Sequence, residues 1–159
     1  MLIIRRAEFS ASHICRNQSL SDEQNFALYG PAANGKGHGH NFVLEVTLAG
    51  TPDPVTGMVY DLKDLKDIMN QEVVEPMDHR HLNYEVPPFD KVIPTTENIA
   101  IEIWKRLEPH FAEGPGKLIA FGFTKPMIFL LSIVGAGYDS ADTGLPFLRV
   151  AQVECAAFQ

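Results

Sequence analysis

Gly37-His-Gly-His-Asn41-Phe-Val-Leu-Glu-Val-Thr-Leu48 joins two closely spaced histidines to a run with the composition of a β-strand. Successive side chains of a strand point to opposite faces, so His38 and His40 would lie on one face with the glycine between them on the other. A third histidine, His13, ends the upstream stretch Phe9-Ser-Ala-Ser-His13. Catalytic zinc sites commonly use three protein ligands, and neutral imidazole is a common one. We therefore predict that the three histidines hold a zinc ion and that the rest of the chain builds a pocket around it.

The bulk properties predict one soluble domain over residues 1–159, because 159 residues with 45% hydrophobic composition can build a real core. The formal net charge of -7 argues against non-specific binding to nucleic acid or to an anionic membrane, where a basic face is needed. Cys15 and Cys155 form no disulfide framework, so we expect a cytoplasmic location. The first apolar run is too short for a signal peptide, and residues 126–134 are too few to span a bilayer.

Apolar spacing along the chain predicts strands and helices in a definite order. The strand-like stretches are residues 2–13, 42–48, 117–123, 127–134 and 147–153. One helix is capped by Asp61 and should end before Pro76, and a second is capped by Thr95 or Thr96 and stops near Pro109. Residues 14–37 are predicted to be a long irregular connection with one short helical turn at residues 21–26. The order favours an α+β domain whose antiparallel four-stranded sheet carries two helices on one face.

Six short stretches then occur in a recognisable order. They are Phe9-Ser-Ala-Ser-His13, Ser21-Asp-Glu-Gln-Asn25, Gly37-His-Gly-His-Asn41, Gly57-Met-Val-Tyr-Asp-Leu-Lys-Asp-Leu-Lys66, Met77-Asp-His-Arg-His-Leu-Asn83 and Thr95-Thr-Glu-Asn98. With them the chain resembles the 6-pyruvoyl-tetrahydropterin synthase and 6-carboxytetrahydropterin synthase family, which has the tunnelling fold. The residues of these stretches are more similar to the pyruvoyl-forming branch than to the carboxy-forming one.

The resemblance implies a zinc-dependent lyase that acts on the side chain of 7,8-dihydroneopterin triphosphate. It implies the following site residues: His13, His38 and His40 as zinc ligands, Asp78 and His79 in proton transfer, Thr95 and Thr96 at the pterin, and a C-terminal carboxylate, for which Glu154 is the candidate. It also implies a homo-oligomer, a trimer or a hexamer, whose sheets close a barrel and whose active sites lie between subunits. Lys36, Arg80 and Lys91 are candidate cations for the triphosphate.

Two features depart from the family pattern. The family places a cysteine base a few residues before His-x-His, and Ala32 stands at that position here. General acid–base groups typically contribute about 10²–10⁴-fold in rate, so the usual reaction needs a substitute. Cys15 and, more weakly, Glu23 are the candidates. The second departure is extra sequence at about 119–145, before the strand that would carry the pterin anchor.

Three hypotheses about function follow from the alanine. The first is formation of 6-pyruvoyl- or 6-carboxytetrahydropterin by a zinc-dependent lyase. The second is a different cleavage on the same scaffold, which yields 6-hydroxymethyl-dihydropterin or a deazapurine precursor. The third is a non-catalytic protein that kept zinc and pterin binding and lost turnover with the cysteine.

Overall fold

The computed structural model describes residues 1–112 together with the backbone of residues 117–124 and 131–134. The strands are β1 (Leu2–His13), β2 (His38–Ala49), β3 (Arg80–His81), β4 (Lys117–Thr124) and β5 (Leu131–Val134). The helices are α1 (Asp22–Tyr29), α2 (Leu62–Met69), α3 (Glu75–Met77), α4 (Leu82–Glu85) and α5 (Thr96–Leu107). Short 3₁₀ turns occupy Gly30–Ala33 and Glu108–Phe111, and a π-helical turn occupies Asn70–Val74. Within this part of the chain, no helix has both the length and the apolar character needed to cross a membrane.

The strands form one sheet in the order β3-β1-β2-β4-β5. The pairs β1–β2, β2–β4 and β4–β5 are antiparallel, which confirms the α+β class, whereas β3 runs parallel to β1. The predicted count of four strands is corrected to five in the described sheet. The sequence predicted no strand at the two-residue β3, because so short a strand has no periodicity to detect. Of the strand predicted at 127–134, the structure describes Leu131–Val134 as strand, and the one predicted at 147–153 lies outside the described residues.

Two helices cover one face of the sheet, as expected. Alternate residues of β1 and β2 turn to this face and are buried, and the facing sides of α2 and α5 pack on them. The fully buried members of this core include Leu44, Val46, Leu48, Leu65, Met69, Ile99, Ile103 and Leu107. Each such side chain contributes about 1.5–3 kcal/mol by leaving water. The core therefore fixes β1 and β2 against α2 and α5.

The first predicted helix begins where expected but does not end where expected. Asp61 caps it by accepting a hydrogen bond from the Lys63 N–H at 2.7 Å. The prediction that it ends before Pro76 was wrong, since helical backbone continues to Met77. The helix widens to a π-helical turn before the proline. Pro76 then lies in the first turn of α3, where a missing N–H is tolerated.

The connection between β1 and β2 is ordered by a buried asparagine. Asn25 is fully buried, and its Nδ2 donates to the backbone carbonyls of Asn17, Leu20 and Ser21 at 3.0–3.1 Å. Ser21 caps α1 through a capping box with Gln24. The short helical turn predicted at residues 21–26 is therefore part of the two-turn helix α1, and one side chain satisfies three carbonyl groups at and before its start.

Candidate active site

The register of β1 and β2 brings three histidines together. His13 lies directly opposite His38, and Ala11 lies opposite His40. The ring centroids of His13 and His38 are 4.4 Å apart, those of His38 and His40 are 4.6 Å apart, and those of His13 and His40 are 5.2 Å apart. One nitrogen from each ring lies within 4.8 Å of the others, so the three residues form a cluster that could hold a metal ion. We call His13, His38 and His40 the histidine cluster.

The cluster continues the buried face of the sheet. The Phe9 and Phe42 rings pack 5.1 Å apart on the two strands, next to the histidines along the same face. Both phenylalanines are almost fully buried, and His13 is 3% exposed. The apolar side of the cluster therefore excludes water, which strengthens electrostatic interactions at the site.

A backbone carbonyl sets the tautomer of His13. Its Nδ1 lies 2.7 Å from the Pro94 carbonyl oxygen, which can only accept a hydrogen bond. The Nδ1–H therefore donates, and Nε2 carries the lone pair of the neutral imidazole. A metal-binding histidine usually donates its other N–H in this way, which orients the ring and raises the basicity of the ligand nitrogen. Three neutral imidazoles match the ligand set of an open catalytic zinc site, so the residues fit the predicted metal.

The same carbonyl connects the cluster to the two predicted pterin-binding threonines. Pro94 immediately precedes Thr95, whose Oγ1 accepts a hydrogen bond from the Asn98 N–H at 3.3 Å and caps α5. Thr96 is the first residue of α5, and both threonines are half-buried. The capping role of Thr95 predicted from sequence is thus confirmed. The threonines stand beside the residue that orients His13.

Asp78 and His79 form a dyad on the outer edge of β1. The Asp78 Oδ1 accepts from the Ser10 N–H at 2.8 Å, and its Oδ2 lies 2.8 Å from His79 Nδ1. The His79 N–H donates to the Ser10 carbonyl at 2.6 Å, and His79 adopts a φ of 55°, which is uncommon for a residue other than glycine. The hydrogen bond from Ser10 holds the pKa of Asp78 below its usual value. The carboxylate therefore stays charged beside the imidazole.

The dyad and the histidine cluster both contact β1, but they differ in their exposure to solvent. The His79 side chain is 82% exposed, whereas His13 is buried. Ser10 and His13 also differ by an odd number of residues, so their side chains point to opposite faces of the strand. The His79 imidazole is therefore accessible from solvent rather than enclosed.

Ala32 lies in the turn at Gly30–Ala33, and its carbonyl accepts from the Cys15 N–H at 3.0 Å. The Cys15 thiol, one candidate substitute for the missing cysteine, is buried and lies 3.7 Å from both His13 Nδ1 and the Pro94 oxygen. The sulfur therefore lies on the Nδ1 side of His13, whereas the nitrogen available to a metal ion is Nε2. Cys15 contacts the same side of the ring as the Pro94 carbonyl.

The other predicted polar residues have separate surroundings. Glu23 is exposed and accepts from Ser21 Oγ at 2.8 Å, which lowers its pKa and makes it a weaker base. It lines an open cleft of about 670 Å³ beside α1, with Arg16 and Phe26. Arg80 lies 3.4 Å from Glu85. Lys36 and Lys91 are exposed, and Glu154 lies outside the described residues.

Sequence reasoning missed several residues that support the cluster. Gly37 has a φ of +73°, and a Cβ added there would meet His81 Nε2 at 3.0 Å. His81 is half-buried, and its ring packs 4.4 Å from that of Tyr84. Asn83 accepts from the Ile14 N–H at 2.8 Å and donates to the Ile14 carbonyl at 3.0 Å, which fixes the chain just after His13. Among these residues, only Gly37 could have been noticed in the sequence, because it directly precedes the His-x-His stretch.

The sequence profile of the 6-pyruvoyl tetrahydropterin synthase family matches residues 2–121 of this chain. The chain belongs to this family. The human 6-pyruvoyl tetrahydrobiopterin synthase is 47% identical over 106 residues, which cover 67% of this chain and 73% of the human protein. An Archaeoglobus fulgidus protein provisionally named 6-carboxy-5,6,7,8-tetrahydropterin synthase is 38% identical over 107 residues, 67% of this chain and 76% of its own.

A solved structure agrees with the sequence relatives. The Caenorhabditis elegans 6-pyruvoyl tetrahydropterin synthase superposes with a TM-score of 0.78 at 34% identity, and the match covers 86% of this chain and 96% of that one. The α+β fold is therefore that of the family, and the relatives are named as synthases. Membership supports a pterin synthase-like lyase with a small-molecule substrate.

Proposed function

We propose that the chain is a zinc-dependent lyase acting on the side chain of 7,8-dihydroneopterin triphosphate, with 6-pyruvoyl- or 6-carboxytetrahydropterin as product. The observation that carries this proposal is the histidine cluster, with one ligand tautomer set by the Pro94 carbonyl. We further propose that residues 1–159 act as one domain of this family, with an atypical segment at about 119–145.

The proposed mechanism divides the work among the chain's own groups. A zinc ion held by His13, His38 and His40 would supply Lewis-acid polarisation of side-chain oxygens on the substrate. The His79 imidazole moves a proton at the substrate side chain, and the Asp78 carboxylate 2.8 Å away orients it and stabilises its protonated form. Thr95 and Thr96 bound the pterin, and Glu154 pairs with its ring N–H and amino donors.

The exposure of His79 supports an active site shared between subunits. A proton-transfer group must reach the substrate at hydrogen-bonding distance, and an imidazole that is 82% exposed in one subunit can do so across an interface. We therefore propose a homo-oligomer, a trimer or hexamer with a closed barrel, in which the dyad of one subunit serves the cluster of the next. Sedimentation velocity will test the assembly.

Ala32 favours a second candidate function. An alanine has no proton to give or take, and Cys15 lies behind His13. The alternative is therefore a zinc-containing protein that binds the pterin without turnover, or one that cleaves the side chain to 6-hydroxymethyl-dihydropterin. In either case the chain keeps the histidine cluster but lacks the cysteine that the family places near it.

One experiment separates these functions. The purified protein is incubated with 7,8-dihydroneopterin triphosphate and zinc, and the products are identified by mass spectrometry. A tetrahydropterin product supports the lyase, and a 6-hydroxymethyl product supports the cleavage enzyme. Tight pterin binding without product supports the binding protein. Ala32→Cys should raise the lyase rate by about 10²–10⁴-fold, and Ala33→Cys is the neighbouring control. An unchanged rate in Ala32→Cys contradicts the assignment of that position.

A further inference from the structure

The dyad is carried by a segment whose two ends converge on one arginine. Residues 72–87, which we call the dyad segment, run from the π-helical turn through α3, the dyad, β3 and α4 to Pro87. Arg106 on α5 contacts both of its ends. We propose that Arg106 is a positioning residue that clamps the dyad segment and thereby holds Asp78 and His79 in place. This inference rests on the proposed role of the dyad.

Three hydrogen bonds define the clamp. Arg106 Nη1 donates to the Glu72 carbonyl at 3.4 Å, and Nη2 donates to the Pro87 carbonyl at 2.6 Å. Nε donates to Glu102 Oε1 at 2.8 Å, one turn earlier on α5. The Arg106 and Glu102 side chains are only 19% and 15% exposed, so this pair is shielded from solvent. The planar guanidinium presents its donors in a rigid fork, which a lysine ammonium cannot reproduce.

The prolines explain why the dyad segment needs an external donor. Pro76 has no N–H to return to the preceding turn, and the Glu72 carbonyl lies in that turn. At the other end, Pro87 and Pro88 both lack an N–H. Backbone donors are therefore scarce at both ends, and the carbonyl groups of Glu72 and Pro87 accept from a side chain instead. Arg106 supplies one hydrogen bond to each end from a helix packed in the core.

The clamp complements the attachment at the centre of the segment. Ser10 binds Asp78 and His79 through its backbone N–H and carbonyl, which fixes the dyad to β1. β3 pairs with β1 at Ala11 and Ser12, and Asn83 bonds the backbone of Ile14, so the attachment to the strand extends to Asn83. Glu72 and Pro87 lie outside this attachment, and Arg106 holds both ends to α5. Arg106 touches no proposed metal ligand in any described hydrogen bond, so its loss should leave metal binding unchanged.

The test compares Arg106→Met and Arg106→Lys with Lys105→Met in the full-length protein. Lys105 is the neighbouring exposed cation of α5, so its variant removes the same charge from the same helix. Hydrogen exchange followed by mass spectrometry reports protection in peptides covering the dyad segment and, separately, in β1 and β2. We expect exchange at the dyad segment to rise at least 10-fold in Arg106→Met, with β1 and β2 unchanged and Arg106→Lys intermediate.

Two further readouts separate the clamp from the proposed function. Zinc affinity should match wild type in all three variants. In any background with turnover, kcat should fall in Arg106→Met with little change in KM. Equal dyad-segment exchange in Arg106→Met and Lys105→Met overturns the clamp. Faster exchange with unchanged kcat supports the clamp and contradicts the catalytic role of the dyad. If neither wild type nor Ala32→Cys shows turnover, the hydrogen-exchange rates of the dyad segment alone test the clamp.

Discussion

Replacing Gly37 with alanine should damage the proposed metal site more than the same change at Gly57. The two glycines have nearly the same positive φ, +73° and +72°. At Gly57 an added Cβ would meet nothing within 4 Å. At Gly37 it would meet the His13 carbonyl oxygen at 3.2 Å and Ile14 Cγ1 at 3.3 Å, besides His81 Nε2. The comparison therefore separates the effect of crowding next to His13, a proposed metal ligand, from the effect of backbone strain.

The expected magnitudes follow from these contacts. A non-glycine residue in the left-handed region costs about 1–2 kcal/mol, and both variants carry this term. Overpacking at Gly37 adds about 1–3 kcal/mol, because the His13 carbonyl is backbone and cannot rotate away. At roughly 2–4 °C per kcal/mol for a chain of this size, Gly37→Ala should melt about 2–12 °C below Gly57→Ala. Zinc affinity should fall about 10-fold in Gly37→Ala only, as for other changes beside a ligand.

The assay measures thermal unfolding with a chelator present and zinc affinity by competition with a chromophoric chelator. Measuring unfolding without metal keeps the two effects separate, since bound metal would raise the melting temperature. Equal melting temperatures and equal zinc affinities in the two variants would refute the close approach of Gly37 to His13. A lower melting temperature with normal zinc affinity would refute the link from Gly37 to the ligand.

Three further predictions concern the site. The folded pKa of Asp78 is lowered, so its stabilising contribution is present above about pH 4 and is lost as the pH falls through the folded pKa. Asp78→Asn should therefore be less stable than wild type at pH 7, by less than about 1 kcal/mol because a third of the side chain is exposed, and the gap in thermal unfolding should close as the pH falls through the folded pKa of Asp78. Cys15→Ala should weaken zinc binding about 10-fold and Cys15→Ser should not, since serine keeps a donor near the Pro94 carbonyl; equal affinities would remove Cys15 from the support of His13. Zinc at 100 times its Kd should stabilise wild type by about 2.7 kcal/mol and His38→Ala by far less, and equal stabilisation would show that the ion binds elsewhere.

The histidine cluster was predictable from sequence because it rests on local rules. His38 and His40 share a face through the two-residue period of a strand, and ring centroids 4.6 Å apart agree with that. The position of His13 opposite His38 depends on the register of two strands separated by 24 residues. No local pattern encodes that register. The order of the family stretches supplied it.

Other features depend on contacts that leave no pattern in sequence. The rule that a helix ends before proline failed at Pro76, because a π-helical turn moved the proline to a tolerated position. The Pro94 carbonyl that orients His13 is a backbone group 81 residues away, so its residue type carries no signal. The Arg106 contacts to Glu72 and Pro87 likewise join a side chain to distant carbonyls. Such contacts follow from the packed fold.

Because His13 lies directly opposite His38, the proposed ligand set also depends on the register of β1 and β2. If β2 slipped by one residue against β1, its side chains would exchange faces, and His38 and His40 would leave the side that His13 occupies. A slipped chain could then offer one imidazole where the native chain offers three. An ion that needs all three would therefore bind the native pairing selectively and draw slipped molecules towards it by mass action. An ion bound by the histidine cluster would then act during folding as well as in the finished site, by selecting the register of β1 and β2.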